Sequence, residues 1–173
     1  MNGPILSIIT VNFNNNLGLL KTLESVSSQS FSSYEHIIID AGSTDGSRET
    51  IIQYEKENPH LSFWSSESDK GIYDGMNKGI DHAKGQYLYF LNSGDCLSQD
   101  ILAKIPFDGT EYLYGDTILF YKRKTKKRVY PDTLDLIYLS DNSLHHQSCF
   151  IHHTLFKDKR YDINYKIIVS SAL

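Results

Sequence analysis

Three carboxylates follow short apolar stretches in the first hundred residues, and their spacing suggests ligand chemistry. Asp40 begins the string DAGSTDGS, Asp69 lies within SESDKG, and Asp95 ends NSGD. A carboxylate can accept hydrogen bonds from a base or a ribose, or it can bind a hard cation. Glycine permits the tight backbone that such loops need. Asn12 follows the first apolar stretch in the same way, so the sequence predicts a polar binding site.

Ordinary turn formation would explain any one of these loops, because Asp, Gly and Ser are common turn residues. Three acidic loops at the same edge of a sheet are harder to explain in this way, and we therefore favour a ligand site. No loop matches the phosphate-binding lysine loop or the dinucleotide fingerprint GxGxxG. A P-loop nucleotide and a nicotinamide cofactor are therefore not expected.

The elements predicted from apolar patterning place these loops together. Short apolar stretches predict strands at 5–11, 36–40, 61–65 and 87–91, and helical spacing predicts helices at 17–26, 47–57 and from 72 to about 85. Such alternation indicates a parallel sheet, whose ligands bind outside the carboxyl ends of the strands. Beyond residue 98, a short helix at 101–105 and strands at 111–114, 117–121 and 148–152 predict an α+β elaboration.

Composition excludes several classes of partner. The chain has 173 residues, of which 40% are hydrophobic and 22% charged, as expected for one folded domain. A net charge of −4 provides no field that would attract nucleic acid. Cys96 and Cys149 have no metal-ligand or redox spacing, which fits a reducing cytoplasm. No segment reaches the roughly 18 apolar residues of a membrane span, so any membrane contact would be peripheral.

Four motifs together resemble the family 2 glycosyltransferases with the GT-A fold, in particular the bacterial enzymes of capsule, O-antigen and exopolysaccharide assembly of the colanic-acid type. They are SIITVNFN, IIIDAGSTDGS, SESDKGIYDGMNKGIDHAKGQYLYFLNSGD and HHQSCFIHH. The resemblance implies a Rossmann-like α/β fold with a mostly parallel central sheet. It also implies one domain over 1–173, with a nucleotide-binding half at 1–98 and an acceptor-side half at 99–173 that we expect to be incomplete at its C-terminus.

The resemblance further implies the reaction, which is inverting transfer of a sugar from a nucleoside diphosphate to a lipid-linked or saccharide acceptor. Thr10, Asn12 and Asp40 would hold the nucleobase, with the Asp40 carboxylate accepting a base N–H. Asp69 and Asn77 would line the same pocket.

By the same resemblance, residues 92–95 would occupy the position of the family's DxD motif, which binds the diphosphate through Mg²⁺ or Mn²⁺. Asn92 stands where a carboxylate is usual, so Asp95 is predicted as the carboxylate ligand of the metal. The cation would neutralise charge on the leaving phosphate. His146 and Gln147 would lie near the sugar or acceptor, although a purely structural role is an equal alternative.

The general base is not assigned, because no carboxylate stands where the family usually places one, after the string YDINYKI. The alternative is therefore a catalytically impaired module that binds a nucleotide-sugar or a protein partner. A nucleotidyltransferase is disfavoured, since its Gly-rich N-terminal loop is absent. The pairs His145/His146 and His152/His153 are not expected to bind a metal, because neighbours on a strand point to opposite faces.

A basic run between Lys122 and Arg128 contains six positive charges. One interpretation is the solvated tip of a hairpin between two strands. The other is a patch for anionic lipid headgroups or a lipid-diphosphate acceptor, since each basic residue near such a surface contributes about 1 kcal/mol. The second interpretation predicts a cytoplasmic protein in peripheral contact with the inner face of the membrane.

Overall fold

Strands and helices alternate through the first half of the chain in a computed structural model, which describes residues 3–121 and 124–165. The order is β1 (Leu6–Asn12), α1 (Asn16–Ser27), β2 (Tyr34–Asp40), α2 (Ser47–Glu57), β3 (Leu61–Ser66), α3 (Ile72–His82) and β4 (Tyr87–Phe90). The second half contains β5 (Tyr112–Tyr114), β6 (Thr117–Tyr121), β7 (Lys124–Arg128), α4 (Leu136–Asp141) and β8 (Cys149–His152).

The central sheet has six strands in the order β3-β2-β1-β4-β8-β5. The first four are mutually parallel, whereas β8 is antiparallel to both β4 and β5. This arrangement confirms the predicted mostly parallel sheet. Because β8 runs against its neighbours, the residues just before β8 lie at the same edge as the carboxyl ends of β1, β2 and β4. That edge collects the loops predicted to bind a ligand.

Helices cover both faces of the sheet. All seven residues of β1 are buried, and their side chains alternate between two clusters. Ile9 and Val11 pack with Met76 and Ile80 of α3. Leu6 and Ile8 lie on the opposite face of the sheet, in a cluster that includes Val26 of α1. A further cluster joins α1 and α2 to Ile38 of β2. A strand that is buried on both faces has a nearly continuous apolar sequence, and β1 has such a sequence.

Glycine allows α3 to approach the sheet closely. A Cβ placed on Gly79 would lie 2.4 Å from Ile9 Cγ2, and one on Gly75 would lie 2.8 Å from Val11 Cγ1. Both distances are too short for real carbon atoms, so these two positions require the absence of a side chain. The close approach holds the start of α3, and the Asp69 loop before it, against the end of β1.

The second half differs from the prediction in three places. The predicted helix at 101–105 is a single 3₁₀ turn over Leu102–Lys104, and α4 was not anticipated. The segment Lys124–Arg128 is a strand that pairs antiparallel with β6, so the prediction that the whole basic run forms a hairpin tip is wrong. Lys122 and Arg123 lie outside the described residues. Among those residues, no helix has the length and apolarity needed to cross a membrane.

Candidate functional site

The carboxylate of Asp40 fixes the ends of three strands. It is fully buried at the end of β2. Its Oδ1 accepts hydrogen bonds from Asn12 Nδ2 at 2.7 Å and Ser43 Oγ at 2.5 Å, and its Oδ2 accepts from Ser43 N at 3.0 Å and Ser66 Oγ at 2.6 Å. A carboxylate offers about four lone-pair positions. A base N–H could therefore bind Asp40 only by displacing one of these donors.

Asp40 is charged at neutral pH despite its burial. Burial raises the pKa of this carboxyl, but the hydrogen bonds from Ser43, Ser66 and Asn12 together outweigh that effect and hold the pKa below its ordinary value. Hydrogen bonds that stabilise the ionised form act in this direction. The charge of Asp40 thus serves to organise the loops around it.

Thr10 belongs to a buried hydrogen-bonded chain beneath the site. The residue is fully buried, and its Oγ1 lies 2.9 Å from His36 Nε2. The other ring nitrogen of His36 lies 3.1 Å from the Tyr54 hydroxyl, which accepts from Asn58 Nδ2 at 2.8 Å. Burial lowers the pKa of His36 to about 3. The contact between Thr10 and a base stays a prediction, and its hydroxyl is already engaged inside the fold.

Two buried acceptor atoms near the ends of β1 and β3 have no hydrogen-bond partner within the described part of the chain. They are Asn12 Oδ1 and Asp69 Oδ2. The amide nitrogen of Asn12 is used by Asp40 and Ser43, and Asp69 Oδ1 accepts from Gly71 N at 2.8 Å. An unpaired buried acceptor is costly, and such atoms often mark a ligand site. These two oxygens are therefore well suited to accept a donor from a ligand.

Asn77 is hydrogen-bonded to the backbone of a distant segment. Its Nδ2 donates to the carbonyl of Tyr161 at 2.8 Å, and its Oδ1 accepts from Tyr161 N at 2.9 Å. Both ends of the amide are used, so Asn77 attaches the segment around residue 161 to α3. The ring of Tyr161 stacks on Tyr73 with centroids 5.3 Å apart. The role of Asn77 in a donor pocket stays a prediction.

Hydrogen bonds attach the loop at residues 92–95 to α1 and to the residue that caps its N-terminus. Gly94 has a φ of +100°, a conformation that other residues rarely adopt. Its N–H donates to Thr22 Oγ1 at 3.0 Å, and that hydroxyl donates to the Asp95 carbonyl at 2.7 Å. Asn15 Nδ2 donates to the Ser93 carbonyl at 3.0 Å. These bonds fix the backbone that carries the predicted metal ligand.

Two adjacent side chains before β8 contact this loop. Gln147 Nε2 donates to Asp95 Oδ2 at 3.0 Å, and Asn92 Nδ2 lies 3.1 Å from His146 Nε2. Asn92 Oδ1 is buried without a partner among the residues described. Burial raises the pKa of Asp95, and the bond from Gln147 and the nearby imidazoles only partly oppose this effect. His146 and Gln147 therefore lie beside the predicted metal position.

Asn92 and Asp95 supply the kind of donor atom that Mg²⁺ and Mn²⁺ prefer, which is oxygen. Over residues 3–121 and 124–165, no group of three or more His, Cys, Asp or Glu side chains is arranged to hold a metal ion. One carboxylate and one amide oxygen still fit a magnesium-type site, because Mg²⁺ usually takes its other ligands from water and phosphate. The unpartnered Asn92 Oδ1 agrees with such a site.

The residues whose hydrogen bonds hold the side chains of the site in place were not identified from the sequence. Ser43, Ser66 and His36 carry much of its hydrogen bonding, yet none was singled out. The position of Ser43, three residues after Asp40, is a local turn signal that could have identified it. Ser66 and His36 are brought to the site only by strand pairing, which no local spacing reveals.

Comparisons with known proteins identify the family to which the chain belongs. The family model described as "Glycosyl transferase family 2" matches residues 7–156. An uncharacterized glycosyltransferase of Mycobacterium tuberculosis is 42% identical over 103 residues, which cover 58% of this chain and 38% of that protein. A PGL/p-HBAD biosynthesis glycosyltransferase of Mycobacterium bovis is 29% identical over 176 residues, covering 97% of this chain and 67% of that protein. The chain thus spans about two fifths of the length of the first relative.

Solved structures share the fold at low sequence identity. Residues 1–349 of S. aureus TarS superpose with a TM-score of 0.71 at 18% identity, covering 93% of this chain and 51% of that one. The mannosyltransferase PcManGT of Pyrobaculum calidifontis, solved with GDP-Man and Mn²⁺, gives a TM-score of 0.53 at 18% identity over 58% of this chain and 30% of that one. At such identities the likeness concerns the fold.

Proposed function

The chain belongs to glycosyl transferase family 2, and on that premise we propose that it moves a sugar from a nucleoside diphosphate to an acceptor hydroxyl in the synthesis of a surface polysaccharide or glycolipid. One observation carries this proposal. Unpartnered acceptor oxygens of Asn12 and Asp69 lie at the sheet edge that also carries the Asn92 and Asp95 oxygens. A nucleotide-sugar presents base or ribose donors at one end and a cation-binding diphosphate at the other.

The nucleoside end is assigned to Asn12 Oδ1 and Asp69 Oδ2. These oxygens accept the N–H of the base or a ribose hydroxyl, whereas Asp40 and Thr10 hold the surrounding loops in place. Uracil and guanine each present an N–H, so both UDP-sugars and GDP-sugars suit this site. TarS has been solved with UDP and UDP-GlcNAc, and PcManGT with GDP-Man.

The diphosphate end is assigned to Asn92 and Asp95. A divalent ion held there, Mg²⁺ or Mn²⁺, would supply positive charge that stabilises the leaving phosphate. In an inverting displacement, the acceptor oxygen forms a bond to the anomeric carbon from one side while the bond from that carbon to the phosphate oxygen breaks on the other. The hydroxyl proton leaves to a base that we do not assign. The side chains of the site orient the donor for this step.

The acceptor is assigned to a cavity at the same edge, beyond β4. It has a volume of about 290 Å³ and is lined by residues that include Tyr112, Tyr114, Asp116, Tyr130 and Asp132. Because β5 runs in the same direction as β4, its end at Tyr114 lies at the edge that carries Asp95. Aromatic rings with nearby carboxylates suit a saccharide, which has apolar faces and hydroxyl donors. Tyr112→Ala is expected to raise the KM for a saccharide acceptor and leave the donor KM unchanged.

A lipid-linked acceptor would require contact with a membrane, and the β6–β7 hairpin is the proposed contact. Phe120 is 80% exposed and Ile118 is 46% exposed. Both side chains share one face of the hairpin, since their cross-strand partners are Thr125 and Lys127. Exposed apolar side chains beside basic ones suit an anionic lipid surface. The same features support a protein that works at the inner face of the membrane.

Binding to lipid can be measured by sedimentation with vesicles. The chain is expected to bind vesicles that contain phosphatidylglycerol and to bind pure phosphatidylcholine vesicles less. Phe120→Ser should weaken that binding, whereas Leu20→Ser, at an exposed position on α1, should not. If both variants bind the vesicles equally well, the hairpin is not the membrane contact.

Calorimetry with UDP and GDP, with and without Mn²⁺, tests the proposed donor site. We expect binding that Mn²⁺ strengthens and that Asp69→Asn weakens. The matched control is Asp81→Asn, because Asp81 lies at the far end of α3, where it pairs with Arg160. Absence of nucleoside diphosphate binding under all conditions would refute the proposal.

The alternative function is a module that binds a nucleotide-sugar without turning it over. It is favoured by the asparagine at position 92, which stands where the family resemblance implies a carboxylate. A radiolabelled donor distinguishes the two functions. Transfer to an acceptor, or slow hydrolysis of the donor that Asp95→Ala abolishes, supports the enzyme, and tight binding without either reaction supports the module.

A further inference from the structure

We propose that His146 and Gln147 are positioning residues that aim two oxygens, Asn92 Oδ1 and the free carboxylate oxygen of Asp95, at a single divalent cation. This inference rests on the proposed function, because it assumes that the site uses a cation. It replaces the acceptor-side role that the sequence suggested for the pair. The two residues are adjacent, and each contacts one of the two candidate ligands.

The contact with His146 determines which end of the Asn92 amide faces the site. When Asn92 Nδ2 donates to the imidazole Nε2, the amide oxygen must point away from the ring. That oxygen is buried and has no partner in the described part of the chain. An amide oxygen can accept a hydrogen bond or bind a cation. We assign a cation to Asn92 Oδ1 because the same loop carries the Asp95 carboxylate.

The contact with Gln147 acts on Asp95 in a corresponding way. It occupies Oδ2, and the other carboxylate oxygen makes no hydrogen bond to any described residue. Because glutamine is neutral, it orients the carboxylate without cancelling its charge. A lysine or arginine in its place would neutralise the carboxylate and compete with a cation. Residues that hydrogen-bond to a metal ligand in this way fix its orientation toward the metal in many proteins.

His146–Ser148 form a short 3₁₀ turn before β8, and this turn does not depend on the side chains of His146 and Gln147. Ser148 N donates to the His145 carbonyl at 3.0 Å, and Ser148 Oγ donates to the same oxygen at 2.9 Å. The Gln147 carbonyl accepts from the Tyr89 hydroxyl at 2.7 Å. The side chains of His146 and Gln147 can therefore be changed while these bonds hold the start of β8. This separation makes the positioning role testable apart from folding.

The test is titration of Mn²⁺ followed by electron paramagnetic resonance, with Mn²⁺ alone and with Mn²⁺ plus UDP or GDP. Gln147→Leu and His146→Phe remove each contact with little change in volume, and we expect each to raise the Kd for Mn²⁺ by about 10- to 100-fold. Affinity for the nucleotide without metal should stay the same. His146→Gln, which retains an acceptor for Asn92 Nδ2, should restore part of the Mn²⁺ affinity.

The control is His153→Phe, at the opposite end of β8, where the ring contacts the Gln86 carbonyl. It should leave Mn²⁺ binding unchanged. In an Asp95→Ala background, Gln147→Leu should cause no further loss, because the side chain that Gln147 contacts is absent. Melting temperatures measured in parallel separate loss of metal from loss of fold.

The possible results separate this inference from the proposed function. Equal Mn²⁺ affinity in the parent and in both variants overturns the positioning role, although sugar transfer would stand. A parent chain that transfers sugar but binds no Mn²⁺, even with nucleotide, also overturns it. Failure of the parent to bind any nucleoside diphosphate is the separate result that refutes the donor site.

Discussion

Replacing His36 with phenylalanine should flatten the dependence of stability on pH between 7 and 5. The ring of His36 is fully buried between Thr10 and Tyr54, and burial lowers its pKa to about 3. In the unfolded chain a histidine has a pKa of about 6.5. As the pH falls below 6.5, the unfolded chain therefore gains a proton that the folded chain does not, and unfolding becomes more favourable.

The size of the effect follows from these two pKa values. Each pH unit between them changes the free energy of unfolding by about 1.4 kcal/mol, so lowering the pH from 7 to 5 costs the parent about 2 kcal/mol through His36. Any folded-state pKa below about 4 gives nearly the same loss at pH 5. His36→Phe removes this contribution, although two lost hydrogen bonds should also cost about 1 to 3 kcal/mol at every pH.

Urea denaturation measures the effect, with the single tryptophan, Trp64 of β3, as the fluorescent probe. The free energy of unfolding is determined at pH 7, 6 and 5 for the parent and for His36→Phe. His36→Gln provides a second variant if the first is too unstable to study. Repeating the series at high salt controls for surface carboxylates, because salt screens exposed charges far more than a buried ring.

The decisive quantity is the difference between parent and variant in the change from pH 7 to pH 5. We expect the variant to lose about 2 kcal/mol less than the parent, at both salt concentrations. Parallel pH profiles for the parent and both variants would show that His36 takes up its proton in the folded state, which would refute the argument from burial.

Three further predictions concern single substitutions. Asp40→Asn should lower the free energy of unfolding by about 3 kcal/mol in urea denaturation, because an amide nitrogen would face donors that now meet a carboxylate oxygen. Gly79→Ala should cost about 1 to 3 kcal/mol in thermal unfolding, since its Cβ would press on Ile9, whereas Gly115→Ala meets nothing within 4 Å and should be nearly neutral. Asp95→Ala should slow sugar transfer by roughly 10² to 10³ in a steady-state assay, and an unchanged rate would exclude Asp95 as a metal ligand.

The elements of the first half could be predicted because their patterns are local. The predicted helix at 47–57 has the same bounds as α2. The strand β7, in contrast, has the sequence KTKKR, in which no apolar residue marks a buried face. Its structure depends on pairing with β6. Helix α4 exposes Leu136 and Ile137, so it lacks the apolar stripe that identifies a helix packed on a core.

The site could be predicted as a place but not as a set of contacts. Topology alone brings the ends of parallel strands together, and the loops after β1, β2 and β4 do meet. Which oxygens remain free depends on partners from distant strands. Asp40 accepts from Asn12, Ser43 and Ser66. Because the nitrogen end of the Asn12 amide faces Asp40, Asn12 Oδ1 is left as an unpaired acceptor. Spacing in the sequence carries no information about that competition.

The antiparallel insertion of β8 between β4 and β5 affects the order in which parts of the site can form while the ribosome synthesises this chain. Among the residues that the structure describes, every hydrogen-bond donor to the Asp40 carboxylate lies between residues 12 and 66, whereas the donor to the Asp95 carboxylate is residue 147. At about 5 to 20 residues per second, a ribosome needs roughly 4 to 16 seconds to add the intervening segment. The hydrogen bonds of the proposed nucleoside end can therefore form on the nascent chain before those of the proposed diphosphate end. A ribosome stalled before residue 147 would carry the first set of contacts without the second.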